Sequence, residues 1–315
     1  MVKSQSVALL LVTAIAATTQ TNAAEIPIRI FKEDQSLVLV ESYSNVLTVS
    51  KYTNEYYKDS SQVWLYTPEL TQLRSKSRPG DCLDAYLEYG VYKVHTWPCD
   101  LNNENQRWKV NLSNGKIRHQ THTGPGGRPV CLDVDSGRLQ TWECNDAPWD
   151  TNQIWNVRGT QEVNVVFSDA FYARNPPNYG SECLRARDGE VQALYIHPKN
   201  GFVGSGLLGE IWSYDPVSQL IRTGANPKLC LDAWEPKNGG NLHTYSCDYQ
   251  NINQHWEYDQ KTGQLRHLTH RNFCLDRGLD NNALTSGYVS PYLWKCHSQQ
   301  DVYAYLQQFS TILLV

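Results

Sequence analysis

Cys82-Leu83-Asp84 is followed along the chain by Trp97 and Cys99, Cys131-Leu132-Asp133 by Trp142 and Cys144, Cys230-Leu231-Asp232 by Tyr245 and Cys247, and Cys274-Leu275-Asp276 by Trp294 and Cys296. Each time a carboxylate lies two residues after the first cysteine and an aromatic ring two residues before the second. Side chains alternate along a strand, so residues two apart share a face. If a bridge joins two antiparallel strands with its cysteines opposite one another, Asp84 falls opposite Trp97, Asp133 opposite Trp142, Asp232 opposite Tyr245 and Asp276 opposite Trp294, at roughly 5 Å between Cβ atoms. A carboxylate that only accepts hydrogen bonds, set beside a flat apolar ring, suits a pyranose. Hydroxyls donate to its oxygens while the C–H face of the sugar lies on the ring. The competing role for these aspartates is to hold nearby backbone amides at a turn or strand end.

Other chemistry finds less support. Arg118-His119-Gln120-Thr121-His122 and Arg266-His267-Leu268-Thr269-His270 carry rings that bind metals elsewhere. On a strand, residues three apart point to opposite faces, so zinc needs a turn there and further ligands. No Gly-rich phosphate loop, no Gly-x-Ser-x-Gly and no His-Glu-x-x-His occurs. No metal and no cofactor are expected. Carboxylates are plentiful, so spacing alone leaves a glycosidase pair open.

The elements that must position these residues repeat. Sliding the sequence so that residue 63 meets residue 211 gives an unbroken match of 63–122 with 211–270, in which twenty-two of sixty positions are identical. The chain is a duplication. A shorter period runs inside each half, marked by Gln62-Val63-Trp64, Gln106-Arg107-Trp108, Gln153-Ile154-Trp155, Glu210-Ile211-Trp212 and Gln254-His255-Trp256, with Gln300-Asp301-Val302 read as a worn sixth copy. The spacing is nearly even, apart from one long gap where the halves join. Three units per half is the simplest count. Between the marks, short runs of Val, Ile, Leu, Tyr and Trp are broken by Asn114-Gly115, Pro125-Gly126-Gly127 and Asn238-Gly239-Gly240, which are turn signals between strands. No segment holds apolar residues at helical spacing over ten or more residues. One unit is too small to bury a core alone, so three must share one, with the Trp of each mark at its centre.

Cys-Leu-Asp opening a unit, an aromatic two residues before the next Cys, and Asn-Gln-x-Trp closing it resemble the pattern of ricin B-type lectins over essentially the whole chain after its first residues. The resemblance implies an all-β chain of two tandem β-trefoils with three repeats each. It also implies sugar sites, in which the Asp takes two hydroxyls, the aromatic stacks on the ring and the Asn adds a bond. Carried over by residue, the first site is Asp84, His95, Trp97, Asn105 and Gln106, with His95 in place of the Gln usual there. The second, and fullest, is Asp133, Gln140, Trp142, Asn152 and Gln153. The third is Asp232, His243, Tyr245, Asn253 and Gln254, with Tyr at the stacking place. The fourth keeps Asp276, Tyr292 and Trp294, with only Gln299 to stand where Asn is expected. Two units look dead: that around Leu37 to Trp64 has no Cys and no Asp in register, and Cys183-Leu184-Arg185 puts a cation at the acceptor's place.

Composition bounds the rest. The 315 residues carry 28 Lys plus Arg against 32 Asp plus Glu, a formal charge of −4, with no long basic run. That gives no footprint for a phosphate backbone, so nucleic acid is not an expected partner. Lys3, the apolar run Val7 to Ala17, and Thr21 and Ala23 before Ala24 read as a secretory leader over 1–23, too short in its apolar part to span a bilayer. In an oxidising compartment the nine cysteines pair locally as Cys82/Cys99, Cys131/Cys144, Cys230/Cys247 and Cys274/Cys296, leaving Cys183 free as a buried apolar side chain. Asn111-Leu112-Ser113 is a glycosylation acceptor in a turn. The expectation is an exported, non-enzymatic protein with trefoils over 24–159 and 160–315. It would bind galactose-type sugars of cell-surface or cell-wall glycans weakly at each site and by avidity overall. The alternatives are a trefoil interaction protein or toxin delivery subunit without live sugar sites, and a carbohydrate-active enzyme.

Overall fold

Alternating apolar runs and tight turns give strands and short 3-10 turns throughout, with no α-helix among the described residues. The computed structural model describes residues 23–33, 37–42, 47–51, 60–146, 151–169, 182–187, 190–195, 208–278 and 288–313. The leader expected over 1–23 lies almost wholly outside them. Each half closes by pairing its first strand with its last. Ile26–Lys32 runs antiparallel to Trp155–Gly159 and also to Trp64–Thr67. Val163–Asp169 does the same with Phe309–Leu313 and Trp212–Asp215.

The mark tryptophans form the centre, as their recurrence requires. Trp64, Trp108, Trp212 and Trp256 are wholly buried and Trp155 nearly so. An indole N–H in a core must find an acceptor. Every one finds the same acceptor, the carbonyl of the Leu at the middle of the Cys-Leu-Asp register: Trp64 Nε1 donates to Leu39 O at 3.4 Å, Trp108 to Leu83 at 3.1 Å, Trp155 to Leu132 at 3.0 Å, Trp212 to Leu184 at 3.0 Å and Trp256 to Leu231 at 3.1 Å. The bond fixes each unit's closing mark beneath its hairpin. Truncating one of these rings to Ala should cost about 3–5 kcal/mol.

The sixth mark needs correcting. Gln300-Asp301-Val302 is a surface turn; the residues at the mark are Gln307 and the buried Phe309, which opens the last strand. Phe fills the Trp place without an N–H, which is why a search for Gln-x-Trp passes over it. Gln299 does not stand at the Asn place, which Leu306 occupies one residue before Gln307. Gln299 instead accepts from Gln308 Nε2 at 3.0 Å.

The four expected cystines form, and Cys183, which is in none of these four, is buried. The halves pack on each other. Leu220 and Tyr249 of the second join the apolar cluster of the first, Tyr66 and Tyr249 rings lie 5.6 Å apart, and Arg222 Nη1 donates to Val157 O at 2.8 Å.

Candidate functional site

Two hairpins show how the chain presents the acid and the ring. Asp81–Glu88 pairs with Val91–Pro98 through the two-residue turn Tyr89-Gly90, and Pro129–Asp135 pairs with Arg138–Glu143 through Ser136-Gly137. All four turn residues have positive φ, from 49° to 80°. That is the geometry that matches the strand twist in a two-residue hairpin.

The register differs by two from the expectation. Asp84 lies opposite His95 rather than Trp97, Asp133 opposite Gln140 rather than Trp142, Asp232 opposite His243 rather than Tyr245, and Asp276 opposite Tyr292 rather than Trp294. The cause is that the second cysteine lies beyond its strand. Cys99 follows Pro98, where the strand ends, and its N–H bonds Gly80 O at 2.8 Å. The cystine therefore crosses diagonally while Cys82 itself faces Trp97. Parity is unchanged by a slip of two, so acid and ring still share a face, one diagonal step apart.

In the first site the Asp84 carboxylate is almost fully buried and held by three donors. His95 Nε2 meets Oδ1 at 3.1 Å, and Asn103 Nδ2 and Gln106 Nε2 reach Oδ2 at 2.8 and 3.3 Å. Trp97 stands half exposed above it and stacks with His95, centroids 5.4 Å apart and planes at 14°. The third site repeats this. Asp232 takes His243 at 3.2 Å, Asn251 at 2.8 Å and Gln254 at 3.1 Å, and Tyr245 is 59% exposed. In the second site Gln140 Nε2 donates to Asp133 Oδ1 at 3.0 Å, and Oδ2 has no protein donor among the described residues. Trp142 beside it is 58% exposed. This carboxylate has the most accepting capacity left for a ligand.

Gln106, Gln153 and Gln254 are fully buried, so they sit behind the site and do not line it. Gln106 Nε2 also donates to Pro98 O at 2.9 Å, while its Oε1 accepts from Asp100 N at 2.9 Å. The amide ties the far end of the hairpin to the mark and points N–H at the acid. Gln153 makes the same backbone bonds, to Glu143 O and from Asn145 N, at 2.9 and 3.1 Å.

The paired histidines have a structural use. They share one side of the chain because the strand register slips between Pro129 and Cys131, contrary to the expectation of opposite faces. The rings of His119 and His122 stack 3.9 Å apart. His119 Nδ1 accepts from His122 N at 3.1 Å, so in the neutral ring Nε2 carries the hydrogen and donates to Asn105 O at 3.0 Å. Burial drives the His119 pKa down to about 3 and lowers that of His122. His122 Nε2 donates to Asn105 Oδ1 at 2.9 Å, which leaves the Asn105 amide N–H2 as the end free to meet a ligand. His267, His270 and Asn253 repeat the arrangement, and burial lowers the His267 pKa to about 4.

At the fourth candidate Asp276 Oδ1 takes Gly278 N at 2.9 Å and Oδ2 takes Gln307 Nε2 at 3.1 Å. Burial raises its pKa. With Leu306 at the Asn place, Asp276, Tyr292 and the part-buried Trp294 remain of the expected set. Asn152 of the second site is described through its backbone, whose carbonyl accepts from Lys32 Nζ at 3.0 Å.

Sequence reasoning missed two features. Asn103 and Asn251 cap the 3-10 turns before the marks and bond the site aspartates; the signal was Asn-x-Asn-Gln, an Asx cap two residues ahead of the expected Asn. Tyr86, two residues after Asp84 on the same strand, shares the face of the acid, and Trp234 lies just past the strand that ends at Asp232; they lie against His95 and His243, centroids 4.4 and 6.4 Å apart. The period-two rule that selected Trp97 selects Tyr86 as well.

The model of the ricin-type β-trefoil lectin domain matches residues 40–155 and 174–304. Polypeptide N-acetylgalactosaminyltransferase 8 of Drosophila melanogaster is 39% identical over 79 residues, 24% of this chain and 12% of that protein, so the chain spans a small part of that relative. Among solved structures, the agglutinin of Abrus precatorius aligns with 94% of this chain and 100% of its own at 18% identity and a TM-score of 0.40. The C-half of an earthworm R-type lectin in complex with GalNAc aligns with 48% of this chain and 99% of its own at 14% identity and a TM-score of 0.34.

Proposed function

Because the chain belongs to the ricin-type β-trefoil lectin family, we propose that it is an exported, non-enzymatic carbohydrate-binding protein taking galactose-type sugars at the Asp84, Asp133 and Asp232 sites. The observation that carries the reading is the second site, where Asp133 Oδ2 has no protein donor among the described residues and the exposed Trp142 shares its face. Vicinal hydroxyls of a pyranose donate to the carboxylate, its C–H face covers the indole, and in the first and third sites the amides of Asn105 and Asn253 donate to a further oxygen. The carboxylates arrive already desolvated and oriented by His95, Asn103 and Gln106, or by His243, Asn251 and Gln254, so little order is lost when a sugar enters.

Such sites are small and polar, and each exchanges water for bonds of similar strength. Strength comes from several sites on one body meeting a surface that displays many copies of a glycan, as on a cell surface or cell wall. A catalytic pair of acids would need two carboxylates across one cleft. Among the described residues Asp84 and Asp232 are met by amide and imidazole donors, and Asp133 by an amide. The reading of an interaction protein without live sites draws on Val40, Arg185 and the Leu306 that stands at the Asn place of the Asp276 unit, but three units keep acid and exposed ring together. A glycan array tests the proposal: galactose-terminated glycans are retained by the parent and lost in Asp133→Ala and Trp142→Ala in proportion to that site's share. No glycan above background would end it.

A further inference from the structure

Outside these sites, one face of the first half sets two cations, Lys109 and Arg118, against each other with no carboxylate paired to either among the described residues. Strands Trp108–Asn111 and Lys116–Thr123 pair with Lys109 directly opposite Arg118 and Asn111 opposite Lys116. Like charges opposite one another on a sheet repel. Neither Lys109 nor Arg118 has a carboxylate within ion-pair distance among the described residues. Lys116 is buried, with Nζ 3.4 Å from Gln153 Oε1. These three line a cavity of about 500 Å³ together with Arg128, which is paired with Glu143 at 3.2 Å, and among the described residues its one acid is Asp146. Its volume lies within the range of small-molecule pockets, roughly 300–1,000 Å³.

The duplication supplies a control within the molecule. At the same places the second half carries Glu257, Asp259, Gln264 and Arg266, with Glu257 opposite Arg266 and Asp259 bonded to Arg266 at 2.9 Å. There the sheet neutralises its arginine. In the first half the two acids are Lys109 and Asn111, and Lys116 stands where Gln264 does. Lys109 and Arg118, opposed with no carboxylate among the described residues to separate them, would be relieved by a bound anion.

A second opening identifies what carries it. Lys109 and Asn111 also line a cleft of about 260 Å³ whose opposite wall is Tyr245, Asp248 and Asn251 of the second half. Tyr245 is the exposed ring of the third candidate site, and Asn251 holds its Asp232. The cation cavity and that site are therefore neighbours across the seam between the halves. Among the described residues no aromatic ring lines the cavity, which offers bases no stacking platform there.

We propose that this cavity binds the sulfate ester or carboxylate of an acidic oligosaccharide whose neighbouring sugar lies at Tyr245. The inference rests on the sugar-binding reading for the neutral end alone. The acidic end is held by Lys109, Arg118 and Lys116, and the preference weakens as salt rises.

The test uses the full chain produced without a glycan at Asn111. Binding of a galactose-containing oligosaccharide is compared with its sulfated and its uronate-bearing forms, in the parent and in Lys109→Glu, which places there the residue the second half has. The parent should prefer at least one acidic form by about tenfold, the scale of one charge-assisted bond. In Lys109→Glu the preference should vanish while neutral binding is unchanged, and Arg118→Gln, with its melting temperature as a fold control, should reduce it. Whichever acidic form is preferred identifies the anion. Equal binding of neutral and acidic forms by the parent, or a preference that survives Lys109→Glu, overturns the proposal. So does a single-stranded oligonucleotide that binds tighter than the acidic sugar and displaces it. Loss of neutral binding alone, with a Lys109-dependent acidic preference intact, would count against the third sugar site and leave the cavity standing.

Discussion

The second and fourth units place opposite chemistry at the same positions. In the second, Asp84 is the acid and Gln106 the amide that donates to it. In the fourth, the bond from Trp212 Nε1 to Leu184 O puts Arg185 at the acid's place, and Glu210 stands at the amide's. Burial raises the Glu210 pKa and the Arg185 charge lowers it. The first unit shows the third case. Val40 follows Leu39 at the acid's place, and the buried Gln62 amide has no hydrogen-bond partner among the described residues. The mark's polar residue thus follows the acid's charge, as expected of a partner that holds the acceptor from behind. When the acid changes sign so does its partner, and when it is lost the amide has no acid to meet.

The largest expected effect comes from breaking that match. Asp232→Arg puts a cation against the Gln254 amide and should destabilise the second half by about 3–5 kcal/mol, the range for an uncompensated buried charge. Adding Gln254→Glu should recover a large part, and a denaturant double-mutant cycle measures the recovery. Additive losses would show that the fourth unit's swap is coincidental.

The histidine pairs should act alike in both halves. Unfolded chain takes up protons on these rings below 6.5, whereas folded chain resists until about 3 at His119 and about 4 at His267. Their stabilisation is complete above pH 6.5 and drains as pH falls towards those values, by on the order of a few kcal/mol. Thermal melts from pH 7 to pH 4 should show the fall, and His119→Gln should flatten it. A smaller change is expected in the first unit. Gln62→Leu removes a buried amide with no partner among the described residues and should raise stability by about 1 kcal/mol by urea denaturation. Smallest of all, Trp142→Ala at an exposed position should move stability by less than about 0.5 kcal/mol while removing sugar retention at the second site.

Much of this was legible from the residues. Duplication, the cystines and the Trp centre follow from recurrence at fixed spacing, because a core shared by three units needs the same large ring from each. The hairpin register was not legible from the cystine, since Cys99 lies past Pro98 and counting from it misplaces every pair by two. The sixth mark was hidden because Phe309 fills the Trp place by shape alone. Asn103 was overlooked because a cap on a three-residue 3-10 turn leaves no periodicity to read.

Equilibrium dialysis of a radiolabelled methyl galactoside against the parent and against the triple variant Asp84→Asn, Asp133→Asn, Asp232→Asn addresses sugar recognition most directly. Saturable uptake by the parent that disappears in a triple variant with all four cystines intact is the expected result. Equal uptake by both proteins would contradict the assignment of these acids.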